Sequence, residues 1–471
     1  MQSNISLLKK GVWLYFFLLI LEGALRKWVI PGLATPLLVV RDPLIIVMLF
    51  AMWKNSILPS GLYLIGMVVL GILATSTALL VGHGNLQVAL FGVRPLLLHF
   101  PMIFIIGKLF QPEDVLKLGR ITLIIAIPMA LLIAAQFYSP QSAWINKGLN
   151  EEVEGAGLSG AMGYFRPSGT FSYTTGNTLF FSLVGCFCVY FWMNSKKIKK
   201  VLLYAATAAL LLAIPLSISR TLLFHVALSL VFSFIAALVN PSYLKQILII
   251  FGAGIIALII LMNLSVFQTA TEVFSARIDN ASTAEGGLEG TLFGRIYGDM
   301  TAPFEGIMNK PYFGYGIGMG TNAGSQLLTG RREFLIAEGE WGRVMGEMGL
   351  ISGLALLLIR FLFTVELGIA SLKKLRSGDL LPWMLLSFGL LIMLQGGWSQ
   401  PTSLGFYTLI AGLLLASVND PAQTFYISYE SNINENSNEN PTYYTIDGSK
   451  AGRSRTGLKN NGPGSFAKVN S

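Results

Sequence analysis

Apolar runs of about 20 residues recur along the chain from Val12 to Val418, and each is long enough to cross ~30 Å of hydrocarbon as a helix. They are too many and too evenly spaced to be the core helices of a water-soluble protein. Because only helices and closed barrels satisfy their backbone in lipid, runs of this length specify an all-α polytopic membrane protein. Composition agrees: of 471 residues, 12% are charged and 53% hydrophobic, and the mean hydropathy is +0.63. A soluble domain carries about 25% charged residues, so a soluble enzyme is excluded.

About twelve spans are expected, near 11–30, 37–53, 62–81, 88–110, 119–138, 172–193, 201–218, 221–239, 247–268, 344–366, 381–397 and 403–418. The first is read as retained, because Glu22, Arg26 and Lys27 stand where a signal peptide would carry small residues for cleavage. The net charge of +9 does not point to nucleic acid, since many lysines sit in short connections, such as Lys196, Lys197, Lys199 and Lys200. There they encode orientation. With Lys9 and Lys10 cytoplasmic, Lys54, the Lys108 to Arg120 stretch, Lys245 and the Lys373, Lys374, Arg376 cluster fall on the same side. Residues 1–418 are then one membrane domain with both ends cytoplasmic. Two long segments, 139–171 and 269–343, emerge on the outer side. Residues 419–471 are polar and rich in Asn and Ser, with five acids against five bases. They read as a disordered cytoplasmic tail, suited neither to nucleic acid nor to anchoring on a charged membrane.

Within the larger outer loop Phe293, Ile296, Met300, Phe304 and Ile307 recur at helical spacing, one apolar face of an amphipathic helix able to lie on the membrane. A glycine-rich stretch from Phe313 to Gly320 follows. It lacks the Lys-Ser/Thr and the parallel strand of a nucleotide loop, so a flexible turn returning the chain to the membrane is the favoured reading. Cys186 and Cys188 are two apart on one helix and cannot form a disulfide; they read as packing or lipid-facing residues. His83, His99 and His225 have no metal-ligand spacing and read as structural, and no metal or other cofactor is indicated.

Ionisable groups in or beside membrane helices are functional by default, with a structural ion pair as the competing role. Arg94 lies in the fourth span, Arg166 just before the sixth, Arg220 between the seventh and eighth, and Arg295 at the start of the amphipathic segment. Residues 269–340 hold nine acids against five bases, so arginines there must act locally. Guanidinium forks match phosphate oxygens, and several at one membrane face would hold a lipid-linked diphosphate without a metal. Arg41 beside Asp42 and Arg277 beside Asp279 read instead as structural pairs. A second cluster, Glu338 to Leu350, opens the tenth span. Glu338 or Glu340 is a general base for a sugar hydroxyl, or a partner of Arg343 at the helix start. Glu347 is expected deeper, as a structural partner. Gly342, Gly346, Gly349 and Gly353 leave a small-residue face.

Arg166-Pro-Ser-Gly-Thr-Phe, Ser217-Ile-Ser-Arg220-Thr, Gly294-Arg295, Asn309-Lys-Pro-Tyr-Phe-Gly-Tyr-Gly316 and Glu347-x-Gly349-Leu350 follow one another in an order that resembles the O-antigen ligase and O-antigen polymerase superfamily, from about the fifth span to the tenth. The resemblance implies a metal-independent, inverting glycosyltransferase of the bacterial inner membrane. It would take an oligosaccharide from undecaprenyl diphosphate and transfer it to a glycan or lipid acceptor on the periplasmic side, in surface polysaccharide assembly. Arg166, Arg220 and Arg295 would hold the diphosphate, and Glu338, with Glu340 in reserve, would be the base. Family ligases carry a His at the position of Glu338, so the carboxylate here favours a polymerase over a ligase. A transporter or flippase of a lipid-linked glycan is the alternative from another functional class.

Overall fold

The protein is described here as a computed structural model covering residues 2–149, 158–285, 298, 300–304, 311–331 and 333–419. Its helices follow the apolar runs: α1 (Gln2–Ala24), α2 (Arg41–Lys54), α3 (Leu62–Leu80), α4 (Leu86–Arg94), α5 (Phe100–Leu109) and α6 (Pro112–Tyr138). After a two-stranded antiparallel hairpin, β1 (Leu158–Ser159) and β2 (Phe165–Arg166), come α7 (Thr174–Met193), α8 (Lys200–Leu216), α9 (Arg220–Val239), α10 (Leu244–Met262) and α11 (Ser265–Glu285). The chain closes with α12 (Asn322–Thr329), α13 (Glu340–Arg376), α14 (Leu381–Gln395) and α15 (Pro401–Val418). Local chemistry sets several starts. Gln111 and Asp114 form a capping box on α6, Asn85 accepts from Gln87 and Val88 at α4, and Ser219 accepts from Leu222 at α9.

Among the described residues, nine helices are long and apolar enough to cross a membrane, and they coincide with nine of the expected spans. Of the other three, α8 and α14 are shorter apolar helices of 17 and 15 residues, and α1 has 23 residues and carries Lys9, Lys10 and Glu22. The centre of the bundle is α7: 94% of its apolar window is buried, against 6% for α10. Helix α10 accordingly turns Leu248, Ile249, Ile255, Ile256, Ile259 and Ile260 outward, a surface for lipid rather than for water. Cys186 and Cys188 are both buried in α7, so they are packing residues, and Cys186 Sγ donates to Met384 O at 3.0 Å.

The bundle has two chemically distinct ends. At one, the basic connections meet: Lys9 pairs with Asp114 at 2.6 Å, Arg120 Nε donates to Lys197 O at 3.0 Å, and Tyr243 Oη donates to Gly378 O at 3.2 Å. The other end gathers the turn after α1, the segment before α7, the α8–α9 connection and the glycine-rich loop. This sorting matches the alternation expected from the lysines.

Helix α13 departs from a simple span. At Gly349 the backbone takes φ 74° and ψ −175°, a conformation essentially confined to glycine. There the chain folds back: a Cβ on Gly353 would lie 3.1 Å from Val344 O, and Arg360 reaches Glu340 at 3.1 Å. Residues 340–348 are thus a half-helix packed beside the long arm 350–376. The glycine-rich stretch is no loose turn either, because it closes this break. Tyr315 N donates to Gly346 O at 2.8 Å and Gly316 N to Glu347 O at 3.0 Å, while Gly320 N donates to Glu347 Oε1 at 2.8 Å. On its other side, Gly318 meets Gly92 of α4 so closely that a Cβ on Gly92 would fall 2.3 Å from Gly318 N.

The fold-back inverts the expected depths. Glu347 lies at the fold and Glu340 beside Arg360, about 10 Å nearer the basic end at ~1.5 Å per helical residue. Of the amphipathic pattern, Phe293, Ile296 and Ile307 fall outside the described residues, as does the tail 420–471. Phe304 is described and packs edge-on against Trp341, ring centroids 6.2 Å apart.

Candidate functional site

The far end of the bundle is built on the first turn of α7. Asn177 Nδ2 donates to Pro167 O at 3.4 Å, which fixes the residue after Arg166. One position on, Thr178 Oγ1 donates to Ser219 Oγ at 3.0 Å, which fixes the residue before Arg220. Asn177 and Thr178 are both buried. The β-hairpin completes the arrangement, because Gly160 packs on Ile218 and Arg166 pairs across the hairpin with Leu158. Two of the expected diphosphate ligands, distant in sequence, therefore flank one helix turn. Arg295 lies outside the described residues.

A layer of ionisable side chains surrounds this turn. It begins where α1 ends in a π-helical turn, Leu25–Val29, which turns Arg26 and Lys27 inward; such turns are frequent at functional sites. Lys27 Nζ, 1% exposed, donates to Ser168 Oγ at 3.0 Å and to Gly169 O at 2.8 Å, and Arg26 Nη1 donates to Ser172 Oγ at 2.9 Å. Both clamp the segment that follows Arg166. Glu22 lies 3.4 Å from Arg26 and 3.4 Å from Arg41, and Arg41 Nη2 donates to Pro401 O at 2.6 Å.

A second π-helical turn, Pro95–His99, lies between α4 and α5. There Asp42 meets Arg94 at 2.8 Å and His99 at 3.1 Å, and His99 faces Tyr15 at 3.3 Å. Arg41 and Asp42 therefore do not pair with each other. Successive residues on a helix point about 100° apart, so each finds a partner on a different helix. Arg94, in the fourth span, is a structural partner of Asp42. The other histidines have hydrogen-bond partners as well: His83 Nε2 to Ile317 O at 3.1 Å and His225 Nδ1 to Ser182 Oγ at 3.2 Å.

The two candidate bases separate sharply. Glu340 is 7% exposed and held by Arg343 at 2.8 Å and by Arg360 at 3.1 Å. Arg343 also bonds Glu347, so two carboxylates and two guanidinium groups form one buried network. Arg360 is capped by Trp398 and Tyr407, 4.5 Å and 5.5 Å from the ring centroids, and donates to Gly396 O at 2.9 Å. Glu338, two residues earlier, is exposed. A carboxylate fixed by two guanidinium groups is a poor proton acceptor, whereas an exposed carboxylate with no ion-pair partner among the described residues can approach a hydroxyl.

Glu22, Arg26, Lys27 and Arg360 are the members of this layer that the motif order does not single out. Arg360 carries its own signal, as the one basic residue within 344–366, and a lone cation in a span requires partners. Among the described residues, no three His, Cys, Asp or Glu side chains form a metal-binding group. No family model, curated protein or solved structure matches this chain.

Proposed function

We propose that this chain is a membrane glycosyltransferase that polymerises or transfers oligosaccharide repeat units carried on undecaprenyl diphosphate, at the outer face of a bacterial inner membrane. The observation that carries the reading is the first turn of α7, which holds the Arg166 and Arg220 segments together. Inverting transfer needs cations where the diphosphate leaves and a base at the attacking hydroxyl. A preorganised donor of that kind contributes about 3–4 kcal/mol of barrier lowering. In this reading Arg166, Arg220 and Arg295 supply the cations and Glu338 the base. Glu340 moves to a supporting role, since its oxygens are engaged by Arg343 and Arg360.

Purified protein incubated with lipid-linked repeat units tests this directly. Formation of longer lipid-linked glycans supports a polymerase, and transfer to a separate lipid acceptor supports the ligase alternative. Movement of the lipid across a vesicle without any new glycosidic bond would replace both with a flippase. One observation favours that last reading, because helices broken within the membrane commonly form transporter binding sites and α13 is broken at Gly349.

A further inference from the structure

The first turn of α7 has donors of its own. Tyr173, at its N-cap, supplies no side-chain acceptor to the turn, and Gly176 N already donates to Tyr173 O at 3.1 Å, which leaves the N–H groups of Thr174 and Thr175 at the positive end of the helix dipole. Thr174, the first residue of the 20-residue helix, is 2% exposed, and among the described residues its hydroxyl has no hydrogen-bond partner. A buried hydroxyl without a hydrogen bond costs about 1–3 kcal/mol, so Thr174 is poised to take a further acceptor. The turn reaches the surface, since Thr175 is half-buried and Tyr173 is 46% exposed.

The surrounding charge specifies what kind of acceptor. Behind the turn, Lys27 donates to the neutral Ser168 and Gly169 and lies 4.6 Å from the Trp28 ring centroid, and Gly169 rests against Asn177 of the same turn. Among the described residues no carboxylate lies within ion-pair distance of the Lys27 ammonium, and a buried cation without a counter-charge is costly. A helix N-terminus, an unpartnered hydroxyl and a buried ammonium together match the tetrahedral oxygens of a phosphate group.

We propose that the first turn of α7 is a phosphate site, in which the Thr174 hydroxyl and the N–H groups of Thr174 and Thr175 donate to the phosphate oxygens and Lys27 is a positioning residue that adds positive charge from behind. The proposal deepens the reading above by naming donors besides the arginines, and rests on that reading only for the view that the phosphate belongs to a carrier lipid.

The test uses the full chain in detergent, with inorganic pyrophosphate and farnesyl diphosphate as probes and calorimetric titration as the readout. Both probes are expected to bind the parent. Thr174→Val should weaken each about tenfold, the loss expected for one hydrogen bond to a charged acceptor, with Thr174→Ser within about threefold of the parent. Lys27→Met should weaken binding, with Lys27→Arg restoring part of it. Unliganded melting temperatures, measured alongside, identify any variant that has merely lost its fold; for such a variant the Ser or Arg replacement decides. Tighter binding of farnesyl diphosphate than of phosphatidylglycerol would support a carrier lipid as the source, and the reverse a phospholipid head group. Parent protein that binds neither probe, or folded Thr174→Val that binds like the parent, overturns the site. Glycan extension is assayed separately: binding without extension removes the enzyme reading and leaves the phosphate site, whereas extension with unaltered binding in Thr174→Val does the opposite.

Discussion

Glu338 and Glu340 differ by two positions and by everything in their surroundings. Removing one member of a buried ion network leaves the others desolvated without a counter-charge, at a cost of about 3–5 kcal/mol. Glu340→Ala is therefore expected to lower the melting temperature in detergent markedly, since Glu340 engages both Arg343 and Arg360. Arg360→Met should do the same, because it takes away one of the two guanidinium groups on Glu340 and removes the cation stacked on Trp398. Glu338→Ala should melt like the parent, its side chain being exposed, yet abolish glycan extension. A folded Glu338→Ala protein with parental extension would end its assignment as the base. The arginines allow a parallel comparison: Arg220→Ala should insert and fold but lose extension, and normal glycan ladders from that variant would remove it from the diphosphate set.

At the scale of elements, the half-helix of α13 and the glycine-rich loop form one unit. The break at Gly349 frees main-chain carbonyls of the preceding turn, and the loop supplies N–H groups to Gly346 and Glu347. Non-helical backbone at membrane depth persists only where protein covers it in this way. A Cβ on Gly349 would lie 2.2 Å from Tyr312 O in a backbone conformation that alanine avoids. Gly349→Ala is accordingly expected to cost about 3 kcal/mol or more, read as loss of monodisperse protein on size exclusion. Gly32→Ala, whose Cβ would meet nothing within 4 Å, should behave as the parent does. Equal behaviour of the two variants would show that the fold-back contributes little to stability.

For the whole molecule, the decisive feature is the separation of its ends. Lysine clusters meet at one end, while Arg166, Arg220, Lys27 and the fold of α13 at Gly349 gather at the other. If the basic end is cytoplasmic, a cysteine placed by Glu338→Cys should react with a membrane-impermeant maleimide added outside intact spheroplasts, and one placed by Lys197→Cys should not. The native Cys186 and Cys188 are buried in α7 and should remain unlabelled in folded protein. Labelling of position 197 alone would reverse the orientation and move the candidate site to the cytoplasmic face.

Hydropathy by itself determined that the chain is a helical membrane protein and where most helices run, because each span satisfies its own backbone and its length is set by the thickness of hydrocarbon. The charge pattern likewise anticipated which connections share an end. Arg343 with Glu340 and Glu347 was also legible, since helical spacing brings residues three and four apart together. Only the tertiary structure decided the remaining partnerships: Arg41 with Glu22, Asp42 with Arg94, Arg360 with Glu340, and Lys27 with the turn after Arg166. It also decided that α13 folds back at Gly349. These depend on which helices become neighbours and on how closely two backbones approach, and pairings made across a bundle leave no periodicity along the chain.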